Sequence, residues 1–136
     1  MATRTFVYLT YLDAVELHFA LMRFLGESRF GIFDKTLIES ALARPKNAAA
    51  YDGADVIRQA ATLCFGLIKN HPWIGGNKRT ASHLTEIFLY FNGYLLTADI
   101  TETVDLCLNI EADIYDVDEV ESWFRGRSVK KPNRKP

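Results

Sequence analysis

The chain has 136 residues, a hydrophobic fraction of 49% and a formal net charge of −1. That length suits one domain around a single core, no apolar run is long enough to span a bilayer, and the N-terminus lacks the basic stretch and apolar run of a signal peptide. Cys64 and Cys107 have neither metal-site nor redox-motif spacing, so they read as buried thiols of a cytoplasmic protein.

Helical patterning runs nearly throughout. Thr10 caps a first helix extending to about Phe24, with Leu12, Val15, Phe19 and Met22 as its apolar face. A break follows at Gly26-Glu27-Ser28. Asp34 caps a short helix expected to end before Arg44-Pro45, because a residue preceding proline disfavours helical geometry; positions 46–53 then read as a loop. A strong helix is expected over 54–70, stopped by Pro72, and another over 77–91 with Leu84, Ile87, Phe88 and Phe91 as its stripe. Asn92-Gly93 ends that helix, and Tyr94-Leu95-Leu96 reads as a short extended connector. Thr101 opens a helix to about Ala112, and Asp116 caps a last one ending near Arg125-Gly126. The expected architecture is all-α: a compact, single-domain bundle of about six helices over 1–125. Segment 126–136 carries Arg127, Lys130, Lys131, Arg134 and Lys135 with no acid, so it reads as a basic, disordered and solvated tail. Contact of that tail with nucleic acid rests on composition alone.

The densest chemistry lies in His71-Pro72-Trp73-Ile74-Gly75-Gly76-Asn77-Lys78-Arg79, between two apolar helical runs. That layout is a loop feeding a helix N-terminus, where free N–H groups and the helix dipole favour an anion. Gly75 and Gly76 let the backbone approach a phosphate closely, although glycine pairs are also ordinary turn formers. Lys78 and Arg79 sit in the first helical turn, where the dipole disfavours cations; that conflict points to a local anion, with a solvated cationic patch as the plain alternative. His71 offers a proton acceptor for a hydroxyl attacking phosphorus, or simply a cap for the preceding helix. Asn77 orients the loop, donates to a phosphate or caps the helix. Trp73 reads as a core anchor, and His18, His83 and Glu86 as ordinary helix residues without metal-ligand spacing.

The same nine residues resemble the signature of the Fic/Doc superfamily, roughly His-x-Phe-x-acid-Gly-Asn-(Gly or Lys)-Arg. Lys78 resembles the death-on-curing (Doc) branch, as do the stretch from Gly31 to Pro45 and the run Phe91-Asn92-Gly93-Tyr94. The likeness extends from about Leu12 to Phe124. It implies a helical Fic/Doc fold with the motif loop between two central helices. It further implies the toxin of a bacterial toxin–antitoxin pair, moving the γ-phosphoryl group of ATP to a hydroxyl of a translation protein such as elongation factor Tu. Transfer of AMP is the alternative. His71, Asn77 and Arg79 would be catalytic, and Gly75, Gly76, Asn77, Lys78 and Arg79 would hold the nucleotide. No Ser/Thr-x-x-x-Glu-Gly/Asn inhibitory pattern is present, so restraint is expected from a separate antitoxin whose disordered segment folds on the toxin.

One position departs. Gly75 stands where the family has an acid or amide that helps hold Mg²⁺, and glycine supplies no side-chain ligand. The metal position is therefore unassigned, and a catalytically weak peptide-binding module is a further alternative. If the glycine merely replaces a ligand, Gly75→Asp is expected to lower the Mg²⁺ requirement; if it serves backbone geometry, positive φ is the expected reason.

Overall fold

The computed structural model describes residues 5–132. Six helices follow in order: α1 (Tyr11–Phe24), α2 (Lys35–Asp52), α3 (Val56–Asn70), α4 (Asn77–Phe91), α5 (Ile100–Glu111) and α6 (Val117–Arg125). Two short strands, β1 (Tyr94–Leu96) and β2 (Ser128–Lys130), complete the fold. The architecture is the expected all-α bundle. Capping residues set most helix starts. Thr10, Asp99 and Asp116 each accept from the third backbone N–H of their helix, and the acid at that position returns a bond, so α1, α5 and α6 open on full capping boxes.

α3 is the centre. Its buried residues run from Val56 to Ile68 on nearly every side, the mark of a helix packed all round. α2, α4, α5 and α6 lie against it. Cys64 and Cys107 are free and buried, as expected. Among the described residues no helix is long and apolar enough to cross a membrane.

Three expectations need correction. First, α2 does not stop before Pro45 but continues to Asp52, with Pro45 inside it. Its buried residues Ile38, Ala41, Pro45 and Ala48 form one unbroken stripe, so burial against α3 outweighs the lost N–H and the steric penalty. The approach is close: a Cβ on Gly66 of α3 would lie 2.4 Å from Arg44 Cδ. Gly53, at φ 63°, then ends the helix in the left-handed region.

Second, the expected apolar faces of two helices are only partly the buried ones: Met22, Leu84 and Phe88 are buried as expected, but the outermost residues are not. α1 buries Ala14, His18 and Met22, whereas Leu12 is 68% exposed. α4 buries Ala81, Leu84, Phe88 and Leu89, whereas Phe91 is exposed. Small and polar residues mark the inner face of α1, and a count of bulky side chains passes over them.

Third, the expected disordered segment from residue 126 begins with a strand. β2 pairs antiparallel with β1 in the register Tyr94↔Lys130, Leu95↔Val129 and Leu96↔Ser128. Backbone bonds from Thr97 to Arg127 (2.7 Å) and from Lys131 to Gly93 (2.8 Å) close its ends. Arg127 meets Glu102 at 2.7 Å, so tail charge is used on the surface of the fold. The remainder of the expected tail, 133–136, lies outside the described residues.

Candidate functional site

The site is a loop between α3 and α4, laced to the segment before α2. α3 ends with His71 in the left-handed region, at φ 52°, where its N–H reaches Leu67 O. The turned backbone leaves the imidazole 58% exposed on the surface. Pro72 O then accepts from Phe33 N–H (3.0 Å) and Asp34 N–H (3.2 Å), and Ile74 N–H donates to Gly31 O at 2.8 Å. Trp73, paired with Ile32 in an antiparallel bridge, is buried as the expected anchor.

Asn77 is 6% exposed and clamps the loop. Its Oδ1 accepts from Trp73 N–H at 3.0 Å and its Nδ2 donates to Trp73 O at 2.9 Å. Its side chain therefore orients the loop. It is not the N-cap: that residue is Gly76, at φ 70°, and no side chain caps α4. The N–H groups ahead of Thr80, the first to bond back, belong to Asn77, Lys78 and Arg79. They form the uncapped, dipole-positive end that the sequence pattern points to.

The two glycines have different reasons. Gly76 needs its positive φ, and a Cβ there would meet Met22 Sδ at 2.4 Å. Gly75 is not in the left-handed region. Its requirement is close approach: a Cβ would lie 2.3 Å from Arg29 O. Positive φ is thus not what selects glycine at position 75.

Both motif cations are held by carboxylates the sequence reading did not single out. Lys78 Nζ lies 3.1 and 3.3 Å from the oxygens of Glu111 at the end of α5, and His71 Nε2 lies 3.8 Å from the same carboxylate. Arg79 meets Glu27, in the break after α1, at 3.4 Å. Arg79 also borders a cavity of about 530 Å³ lined by Leu21, Leu25, Leu96, Ile100 and Val104. His71, Lys78 and Glu111 therefore converge, while Arg79 turns to the α1 side. These ion pairs are exposed, and exposed pairs contribute about 0–1 kcal/mol, so a multiply charged phosphate can displace them. No sequence spacing announces Glu27 or Glu111, which reach the motif only through folding.

The donor set does not fit a protein-held Mg²⁺. Gly75, at the usual ligand position, has no side-chain ligand and no room for one. Among the described residues no group of three or more His, Cys, Asp or Glu is placed to hold a metal.

A sequence profile of the Fic/DOC family matches residues 8–89, from just before α1 to near the end of α4. The chain is also 33% identical over 111 residues to "Toxin Doc" of Mycolicibacterium smegmatis, spanning 74% of this chain and 84% of that relative. The chain belongs to the Fic/DOC family, whose members are nucleotide-dependent transferases. The profile covers the loop, its partners before α2 and all the motif residues; Glu111 lies beyond it.

Proposed function

We propose that this chain is the toxin of a toxin–antitoxin pair and transfers the γ-phosphoryl group of ATP to a hydroxyl of a translation protein such as elongation factor Tu, in the cytoplasm. The observation that supports this reading is the gathering of an exposed imidazole, His71, and Lys78 around one carboxylate, Glu111, beside the uncapped start of α4. In the reaction, His71 accepts the hydroxyl proton and the freed oxygen forms a bond to the γ-phosphorus. The bond from that phosphorus to the bridging oxygen breaks, and ADP leaves with the electron pair. The α4 N–H groups, Lys78 and Arg79 hold the phosphate charge in place, the main work in phosphoryl transfer. Lys78, the residue shared with the Doc branch, favours this reaction over transfer of AMP. No step is assigned to Mg²⁺.

The antitoxin is the expected partner. A cavity of about 790 Å³ between the N-terminal segment, α1 and α4 is lined by Val7, Leu9, Leu17, Ile87 and Phe91. Such a groove suits the apolar face of an amphipathic helix.

The test is incubation with elongation factor Tu and ATP labelled at the γ or the α position. Label from the γ position alone is the expected result. Label from the α position would replace the kinase reading by adenylylation. Label from neither would leave a peptide-binding module.

A further inference from the structure

We propose that His18, in the middle of α1, is a positioning residue that sets the motif loop against α4. Its side chain is fully buried and touches three separate pieces of the site. Gly31 N–H donates to Nε2 at 3.0 Å, so that nitrogen is unprotonated and the proton resides on Nδ1. Nδ1 in turn donates to Thr80 Oγ1 at 2.8 Å, one residue beyond Arg79. The ring face stacks on Trp73, with centroids 4.1 Å apart and planes 15° apart. The Trp73 indole N–H is buried without a hydrogen-bond partner, so packing rather than a polar bond seats that ring, the His18 face included.

The three contacts have one consequence. Gly31 O holds Ile74, Trp73 is clamped by Asn77, and Thr80 belongs to the turn that carries Lys78 and Arg79. One imidazole therefore fixes the loop's distance from the helix start. Met22, one turn further along the same face, packs where a Cβ on Gly76 would stand. The inner face of α1 is a template on which the loop is laid. Burial lowers the His18 pKa to about 4, which keeps the ring neutral and Nε2 free to accept. An apolar residue would fill the volume without fixing this register.

The inference rests on the transfer reaction proposed above for its kinetic arm. A misplaced loop moves His71 relative to the phosphorus, and errors near 1 Å cost about 100-fold in rate. Nucleotide binding, carried by charge and backbone N–H groups, changes far less. His18→Phe keeps bulk and stacking but removes both polar bonds. It is expected to lower kcat about 10- to 100-fold with little change in nucleotide KM. Thr80→Val should give a smaller fall of the same kind. The double variant should be no worse than His18→Phe alone, because both cut the same link. His18→Gln, whose amide can accept and donate, should recover part of the rate.

Hydrogen exchange supplies a readout independent of activity. The Gly31 amide should lose protection in His18→Phe while Leu67, in α3, keeps it. Full activity of folded His18→Phe, a KM rise matching the fall in kcat, or unchanged Gly31 protection would each overturn the proposal. If His18→Phe does not fold, Thr80→Val decides, and unaltered kcat there overturns it. If the wild-type protein transfers no label, the functional reading fails, and Gly31 exchange alone still judges the role of His18.

Discussion

The first turn of α4 is made of the opposite materials from the first turns of α1, α5 and α6. In those three helices Thr10, Asp99 and Asp116 accept a backbone bond, and the third helical position holds Asp13, Glu102 or Glu119. In α4 the cap is Gly76 with no side-chain bond, and the second and third positions hold Lys78 and Arg79. A cap contributes about 0.5–2 kcal/mol, and acids in the first turn add to it. α4 does without both. Its start is held instead from the side, through buried Asn77 and Thr80, Trp73 and His18. The difference teaches that a helix start can be held without a cap: side chains also cap α2 and α3, through Asp34 and Asp55, so α4 alone among the six helices has no side-chain cap and is fixed by its neighbours instead.

The largest expected effect breaks the comparison at its chemical end. His71→Asn should lower transfer about 100- to 10,000-fold, the usual cost of losing a general base. Asparagine is chosen because it tolerates the φ of 52° at this position, so thermal stability should stay near wild type. A folded His71→Asn protein with wild-type transfer would remove His71 from the chemistry.

The next effect tests what makes the open end possible. Gly75→Asp forces a Cβ to within 2.3 Å of the Arg29 carbonyl, a backbone atom that cannot swing aside. Overpacking of this kind costs about 1–3 kcal/mol, so the midpoint of thermal or denaturant unfolding should fall. The Mg²⁺ concentration for half-maximal transfer should not fall, against the expectation from the motif alone. Unchanged stability with a lower Mg²⁺ requirement would show that position 75 is a lost ligand site.

The legible and illegible parts of the molecule divide by range. Thr10, Asp34 and Asp116 announce their helices because capping is local, and the motif loop is legible because glycine pairs and misplaced cations break local rules. Pro45 misleads for the same reason: its local penalty is plain, while the stripe Ile38, Ala41, Pro45 and Ala48 gains its value only against α3. β2 is unreadable in a basic segment because its partner, β1, lies more than thirty residues earlier. His18, Glu27 and Glu111 reach the site from separate elements, so no spacing in the sequence points to them. The one faint signal is a polar His18 in step with Ala14 and Met22 on a buried face.

The smallest effect compares two arginines. Arg79 lies in the first turn of α4 against the dipole, with one contact to Glu27 at 3.4 Å. Arg125 lies in the last turn of α6 with the dipole, bridging Asp55 at 3.0 Å and Glu121 at 2.6 Å. Arg79→Gln removes an unfavourable charge–dipole interaction and one exposed ion pair. These changes oppose each other at about 0.3–1 kcal/mol each, so stability should hardly move. Nucleotide affinity should fall about tenfold, the loss of one charge-assisted hydrogen bond to phosphate. Arg125→Gln should do the reverse. It loses two carboxylate contacts, one of them to the cap of α3, for about 1 kcal/mol of stability, and leaves nucleotide binding alone. Denaturant midpoints and nucleotide titrations on both variants give four numbers. If the two substitutions shift binding equally, net charge rather than the open start of α4 attracts the nucleotide. If Arg79→Gln costs more stability than Arg125→Gln, Arg79 is a structural cation, and the contrast between the helix starts loses its functional meaning.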